Sequence, residues 1–275
     1  MVKFRKAIQY IYLLIVFGLV VIFYHIFFMK RYSKHPEKYP LELRYRRLRK
    51  EIRLLFKLWK IRYHTYGWNN YVEGNNKCIF LSNHLSDVDP LILIAMSERP
   101  VTFVAKIEIK KYPFVGACLK AIDGIFIDRH NLMKQVDTIR EIVQKAKDPN
   151  MPNIAIFLEG TRNKSPEKNV LEYKAGTVKT AYMAGVDIIP LTLYGTFRIL
   201  SLKCHLHKYP VFFNFDRRIP KEEYKEIPNI ELAKKLEDNA NDIINNKLRQ
   251  VDKESIVQMR LTKRAKARET KVDLR

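Results

Sequence analysis

From Trp68 onward the chain keeps changing the period of its apolar residues. Short, nearly unbroken apolar runs at 78–81, 101–106, 124–129, 154–158, 188–193 and 211–215 read as buried strands. Between them lie stretches with helical spacing. Pro90 opens one at 91–96, since a proline fits the first helical turn, where its missing N–H has no partner to lose. Residues 115–122 read as a second helix. Asn131 is placed to cap a third, with Leu132, Val136, Ile139, Val143 and Ala146 along its apolar stripe. A fourth runs from Lys174 to Ala184 and stops at Gly185, a residue suited to a left-handed C-cap, and a last one covers 230–248. Strands alternating with helices in this way predict an α/β sandwich with a mostly parallel sheet. Residues 251–275 are polar, charged and weakly periodic, which suits a tail or a loose helix. The organisation expected is therefore an N-terminal segment at 1–62, one α/β domain at 63–250 and a polar C-terminal tail at 251–275.

The N-terminal segment has its own pattern. Residues 7–29 are apolar except for Gln9, His25 and several tyrosines, with Lys3, Arg5 and Lys6 before them and Lys30, Arg31 and Lys34 after. As a helix this stretch would measure roughly 35 Å, enough for a hydrocarbon core of about 30 Å. It exceeds the apolar length of a signal peptide and ends in bulky Phe27, Phe28 and Met29, so a cleaved leader is not the expectation. Residues 44–62 interleave nine basic side chains with Leu48, Ile52, Leu55, Phe56 and Trp59, the pattern of a basic amphipathic helix on anionic lipid. The positive flanks place the rest of the chain on the cytoplasmic face of a cell membrane.

Charge reinforces this picture. Lys and Arg number 51 against 29 Asp and Glu, a formal net charge of +22. Such an excess calls for an anionic partner: nucleic acid, an anionic bilayer or a phosphorylated substrate. No stacking-aromatic pattern or recognition module supports nucleic acid. Cys78, Cys118 and Cys204 lack metal-ligand spacing and read as reduced thiols.

The densest chemistry follows the first buried run. His84 lies between a strand end and a helix start, with Asp87 and Asp89 close behind. Neutral imidazole can take a proton and return it near neutral pH, and a carboxylate on its other ring nitrogen would fix the tautomer. Spacing alone admits either aspartate, and Asp89 before Pro90 is also a good helix cap. Two more clusters close apolar strands. Arg129 ends one, and Glu159, Gly160, Thr161 and Arg162 follow another. Arginines there can form bidentate pairs with phosphate, and crevices at strand C-termini are where open α/β sheets bind ligands.

Taken together, these residues resemble the lysophosphatidic acid/glycerol-phosphate acyltransferase family, the bacterial 1-acyl-glycerol-3-phosphate acyltransferases and their relatives. The first family motif, Asn-His-x-Ser-x-x-Asp, is matched by Asn83, His84, Ser86 and Asp89. Gly124, Phe126 and Arg129 match the second, Glu159–Arg162 the third, and Ile189, Pro190 and Leu191 the fourth. The resemblance covers roughly residues 45–248. It implies transfer of a fatty acyl group from a thioester, carried by coenzyme A or acyl carrier protein, to a glycerophosphate hydroxyl. It also implies an N-terminal membrane-binding helical segment and no cofactor. His84 would be the general base and Asp89 its orienting partner. Arg129, Glu159, Gly160, Thr161 and Arg162 would bind the phosphoglycerol head, and Lys106, three residues after Phe103, would serve phosphate or oxyanion. Lysophosphatidate is the expected acceptor. Glycerol-3-phosphate and other lysophospholipids are alternatives within the family, and an inert membrane-surface protein would be expected to have lost His84, Asp89 or Glu159.

Overall fold

A computed structural model describes residues 15, 18, 19, 22–72, 77–201, 204, 206 and 208–272, with side chains omitted at 72 and 262–272. Most of the expected membrane segment at 7–29 lies outside the described residues. Those that are described run from 22 through a π turn, His25–Met29, into α1 (Lys30–Lys34), which Met29 and Tyr32 tie to the core. No helix among the described residues is long and apolar enough to cross a membrane.

The elements that follow are α2 (Leu41–Leu58), β1 (Ile61–Tyr66), α3 (Trp68–Val72), β2 (Cys78–Ser82), α4 (Asp89–Met96) and β3 (Val101–Lys106). After a 3-10 turn at Ile107–Lys111 come α5 (Pro113–Ala121), β4 (Ile125–Ile127), α6 (Leu132–Lys147) and β5 (Asn153–Phe157). The rest comprises α7 (Ala175–Ala184), β6 (Asp187–Tyr194), β7 (Tyr209–Phe215), α8 (Lys221–Tyr224), α9 (Asn229–Ile243) and α10 (Arg249–Val272).

The strands form one sheet in the order β1-β7-β6-β2-β5-β3-β4. Every pairing is parallel except β6 with β7, so the sheet is mostly parallel as expected. β2 sits at its centre with all five residues buried, which is why Cys78–Leu81 carries no polar side chain. One face is covered by α2, α4 and α5 through Tyr45, Ile52, Phe56, Ile92 and Ala121; the other by α6, α7 and α9 through Ile142, Val178 and Leu236. Gly185 ends α7 at φ +59°, the left-handed cap its position predicts.

Three expectations change and one is narrowed. The basic amphipathic helix is α2, and its apolar stripe (Tyr45, Leu48, Ile52, Phe56) is buried against the domain rather than free to face lipid. Arg44 of the same helix is buried too, donating to the Ala121 carbonyl at 2.6 Å and to both oxygens of Asp123 at 3.0 Å. Of the helix's basic residues, Arg46, Arg47, Lys50, Arg53 and Lys57 are the exposed ones. The boundary at 62 falls inside β1, an edge strand whose four middle residues are exposed and which therefore shows no apolar run. Of the two forms expected for 251–275, a tail or a loose helix, the structure shows a helix through Val272, its first turn held where buried Asp252 pairs with Arg198 at 2.5 Å. Finally, the apolar stripe expected on α6 begins too early: the buried positions are Thr138, Ile142 and Ala146, while Leu132 and Val136 are exposed.

Candidate active site

The site is built where β2 leaves the sheet. Asn83, fully buried, replaces a strand pairing with its side chain: its Oδ1 accepts from the Leu193 N–H at 2.7 Å and its Nδ2 donates to the Leu193 carbonyl at 3.0 Å. The next residue is thereby released from the ladder at a fixed place, and that residue is His84. Its carbonyl accepts from the Asn163 N–H at 2.7 Å, which ties the turn to the segment after β5. Its ring stacks on Phe157, centroids 4.0 Å apart and planes 14° from parallel.

The choice between the two aspartates is resolved by geometry. Asp89 Oδ2 lies 2.7 Å from His84 Nδ1 and also accepts from the backbone N–H groups of Leu85 (2.7 Å) and Ser86 (2.8 Å). Three donors converge on one oxygen of a side chain with no solvent exposure. Asp89 therefore reaches back over its own loop instead of capping forward, and it occupies the first position of α4 with Pro90 second. A carboxylate on Nδ1 makes that nitrogen the donor and leaves Nε2 as the free base, so the pair can take a proton from a hydroxyl and pass it on. Asp87 does something else: it is exposed and forms an ion pair with Arg162.

Around this dyad the strand C-termini supply the remaining groups. Arg129, exposed two residues beyond β4, donates through its guanidinium to the Gly160 carbonyl. Gly160 has φ +65°, a left-handed backbone that a side chain would strain, and it turns the chain sharply after β5. Thr161 and Arg162 are exposed on that turn. Lys106 is exposed at the end of β3, in register with Ile127, and makes no hydrogen bond to the dyad or to the turn.

Glu159 departs from the expected contact with the headgroup. It is only 3% exposed and points inward, accepting from the Leu171 N–H at 3.3 Å. Burial raises its pKa to about 8, against the downward pull of the Leu171 and His84 backbone amides and with a further push from Asp89 and Glu237. Its carboxyl thus holds a proton more readily than an exposed glutamate would, and it supports the segment after the turn through the Leu171 N–H. Asn83 and Phe157 are the site residues whose parts the spacing did not reveal. Phe157 had one available signal, since it is the aromatic residue near the end of the apolar run that leads into Glu159.

A family model described as Acyltransferase matches residues 63–194, which include every candidate site residue. A probable 1-acyl-sn-glycerol-3-phosphate acyltransferase from Mycoplasma pneumoniae is 30% identical over 214 residues, covering 76% of this chain and 77% of that protein. The chain belongs to the lysophosphatidic acid acyltransferase family. Another similar member, the 1-acyl-sn-glycerol-3-phosphate acyltransferase of Escherichia coli, is 29% identical over 182 residues, 66% of this chain and 71% of its own. The crystal structure of the lysophosphatidic acid acyltransferase PlsC from Thermotoga maritima has the same fold, with a TM-score of 0.65 at 21% identity, spanning 90% of this chain and 97% of that one. As a lysophosphatidic acid acyltransferase family member, the chain carries the family's first motif with its histidine and last aspartate in direct contact.

Proposed function

We propose that the protein transfers a fatty acyl group from an acyl thioester to the free hydroxyl of lysophosphatidic acid, giving phosphatidic acid for phospholipid synthesis. The observation that carries this reading is the 2.7 Å contact between His84 Nδ1 and a buried aspartate oxygen already held by two backbone amides. Such a base is preorganised: its carboxylate partner cannot swing away to solvent.

His84 Nε2 takes the proton as the acceptor oxygen attacks the thioester carbonyl. Collapse of the tetrahedral intermediate breaks the C–S bond, and the imidazolium returns the proton to the departing thiolate. No acyl-enzyme is needed because the acceptor is itself the nucleophile. Arg129 and Arg162 hold the phosphate, and the Gly160–Thr161 turn fixes their spacing, so the free hydroxyl stays near Nε2 and catalysis gains from proximity. Arg162 is paired with Asp87, and phosphate binding would compete with that exposed pair. Lys106, at the neighbouring strand end, is placed to assist with phosphate or oxyanion charge.

The acceptor is a membrane lipid, and membrane association at the cytoplasmic face of the cell membrane completes the proposal. It is supported by the charge of +22 and by exposed apolar residues on the N-terminal helix, including Ile22, Phe23, Ile26 and Phe27. The donor is acyl-coenzyme A or acyl carrier protein.

The test is acyl transfer in detergent with lysophosphatidate and each donor in turn, wild type beside His84→Ala. Phosphatidate is expected from the wild type, and the variant should lose about two to four orders of magnitude in kcat. Equal rates would remove His84 from the mechanism. Product with glycerol-3-phosphate but none with lysophosphatidate would change the acceptor.

A further inference from the structure

The first turn of α6 carries apolar residues that nothing among the described residues covers. Leu132 is 79% exposed and Met133 is 80% exposed, with Val136 half-exposed one turn later. Single apolar residues on a surface are ordinary, but three adjoining ones at a helix start form a patch.

Its neighbourhood says what it fits. Arg129 and His130 lie directly before it, both exposed, and Arg129 belongs to the active-site edge through its bond to Gly160. On the other side of β4, the Lys110 ammonium sits 4.8 Å from the centre of the Phe126 ring. Beyond Lys110, the start of α5 exposes Tyr112, Phe114 and Val115. The Phe114 ring in turn lies 4.6 Å from His25, in the N-terminal helix with its own exposed phenylalanines and isoleucines. A rim of apolar side chains, interspersed with Lys110, Lys111, Arg129 and Lys134 and with the acids Glu108 and Asp128, the latter paired with Lys134, thus follows the C-terminal ends of β3 and β4. Apolar tips among cations are the arrangement that embeds in the headgroup layer of an anionic bilayer.

We propose that the Leu132–Met133 turn is a membrane contact separate from the N-terminal segment. It enters an anionic bilayer beside Arg129 and sets the depth at which a lipid phosphate meets the site. A flat acidic protein would satisfy the lysines and arginine equally well. Continuity with the apolar N-terminal helix, and the position around the edge where Arg129 sits, favour lipid. The inference rests on the reading above that the acceptor resides in a membrane.

Two measurements on the full chain test it. With Cys118 and Cys204 changed to Ser, an environment-sensitive fluorophore is attached through Met133→Cys, or through Lys147→Cys at the far end of the same helix as a control. Adding vesicles of phosphatidylcholine and phosphatidylglycerol should blue-shift and brighten the label at 133 and leave that at 147 unchanged. An unshifted label at 133, or a shift only with acidic acyl carrier protein, overturns the proposal. In parallel, Leu132→Glu/Met133→Glu should lower acyl transfer to long-chain lysophosphatidate in vesicles by about tenfold, a loss expected when charge replaces an embedded apolar contact. Transfer to a short-chain, water-soluble lysophosphatidate should stay within about twofold, because the dyad is untouched. Equal rates on vesicles overturn the proposal as well. Should the wild type transfer acyl groups to neither acceptor, the functional reading fails, and the label at 133 still decides the membrane contact.

Discussion

Asp87 and Asp89 are two residues apart, yet the chain gives them opposite environments: one is exposed and paired with Arg162, the other sealed against His84 and two backbone amides. Their substitutions should therefore separate kinetically. Asp89→Asn leaves an acceptor for the Leu85 and Ser86 amides but weakens the hold on Nδ1–H, so kcat should fall by about two to four orders of magnitude. Asp87→Asn frees Arg162 and should change mainly the KM for the phosphorylated acceptor, by less than about tenfold. Steady-state kinetics on both variants checks this, and a kcat loss of the same size in Asp87→Asn would contradict the assignment. At this scale the sequence showed which polar residue types cluster after the buried runs and left their geometry open. His84 and the two carboxylates were legible because polar residues after a buried run are conspicuous. That Glu159 turns inward was not, since a carboxylate beside an arginine reads the same whether it faces a ligand or supports a loop.

At the scale of elements, buried runs and caps were legible, while exposed or doubly used segments were not. β3 begins and ends at Val101 and Lys106 as its apolar run predicts, and Asn131 caps α6 by accepting from the Lys134 N–H at 3.1 Å. β1 escaped because Arg62, His64 and Thr65 on an edge strand break the apolar run a strand is recognised by. Within α2 the basic residues mask how much of the helix is core, and Glu51 shows this best. It is 5% exposed, one of its oxygens has no hydrogen-bond partner, and burial pushes its pKa up to about 8. The folded state therefore binds the proton more tightly than the unfolded chain, and stability falls as pH rises from the unfolded value near 4.5 through about 8. Glu51→Gln removes the buried charge. Melting curves should show the variant more stable than wild type at pH 8–9, by on the order of 3 kcal/mol, with the difference fading toward pH 4–5. A difference that does not vary with pH would mean that Glu51 ionises without penalty in the folded protein.

Across the whole molecule, the charge and the apolar rim should contribute to membrane binding in ways that salt can separate. In the proposed binding the net charge of +22 would act on anionic lipid through the solvent, where screening shortens its reach from about 30 Å at 0.01 M to about 3 Å at 1 M salt. The exposed side chains of the N-terminal helix and of the α6 turn would act by burial, which salt does not weaken. Vesicle co-sedimentation across that salt range should therefore show affinity for anionic vesicles falling steeply and then levelling at the value found for neutral phosphatidylcholine. Affinity for the neutral vesicles should itself change little. Complete release from anionic vesicles at high salt would leave the apolar rim with no part in binding. A flat response would take that part from the charge, and the basic excess would then have to serve the acidic donor and the phosphorylated acceptor. The same division bears on orientation. On the proposed contact, long-range attraction would bring the chain to the surface in any pose, whereas the rim along the ends of β3 and β4 would select the pose that turns Arg129 toward the lipid.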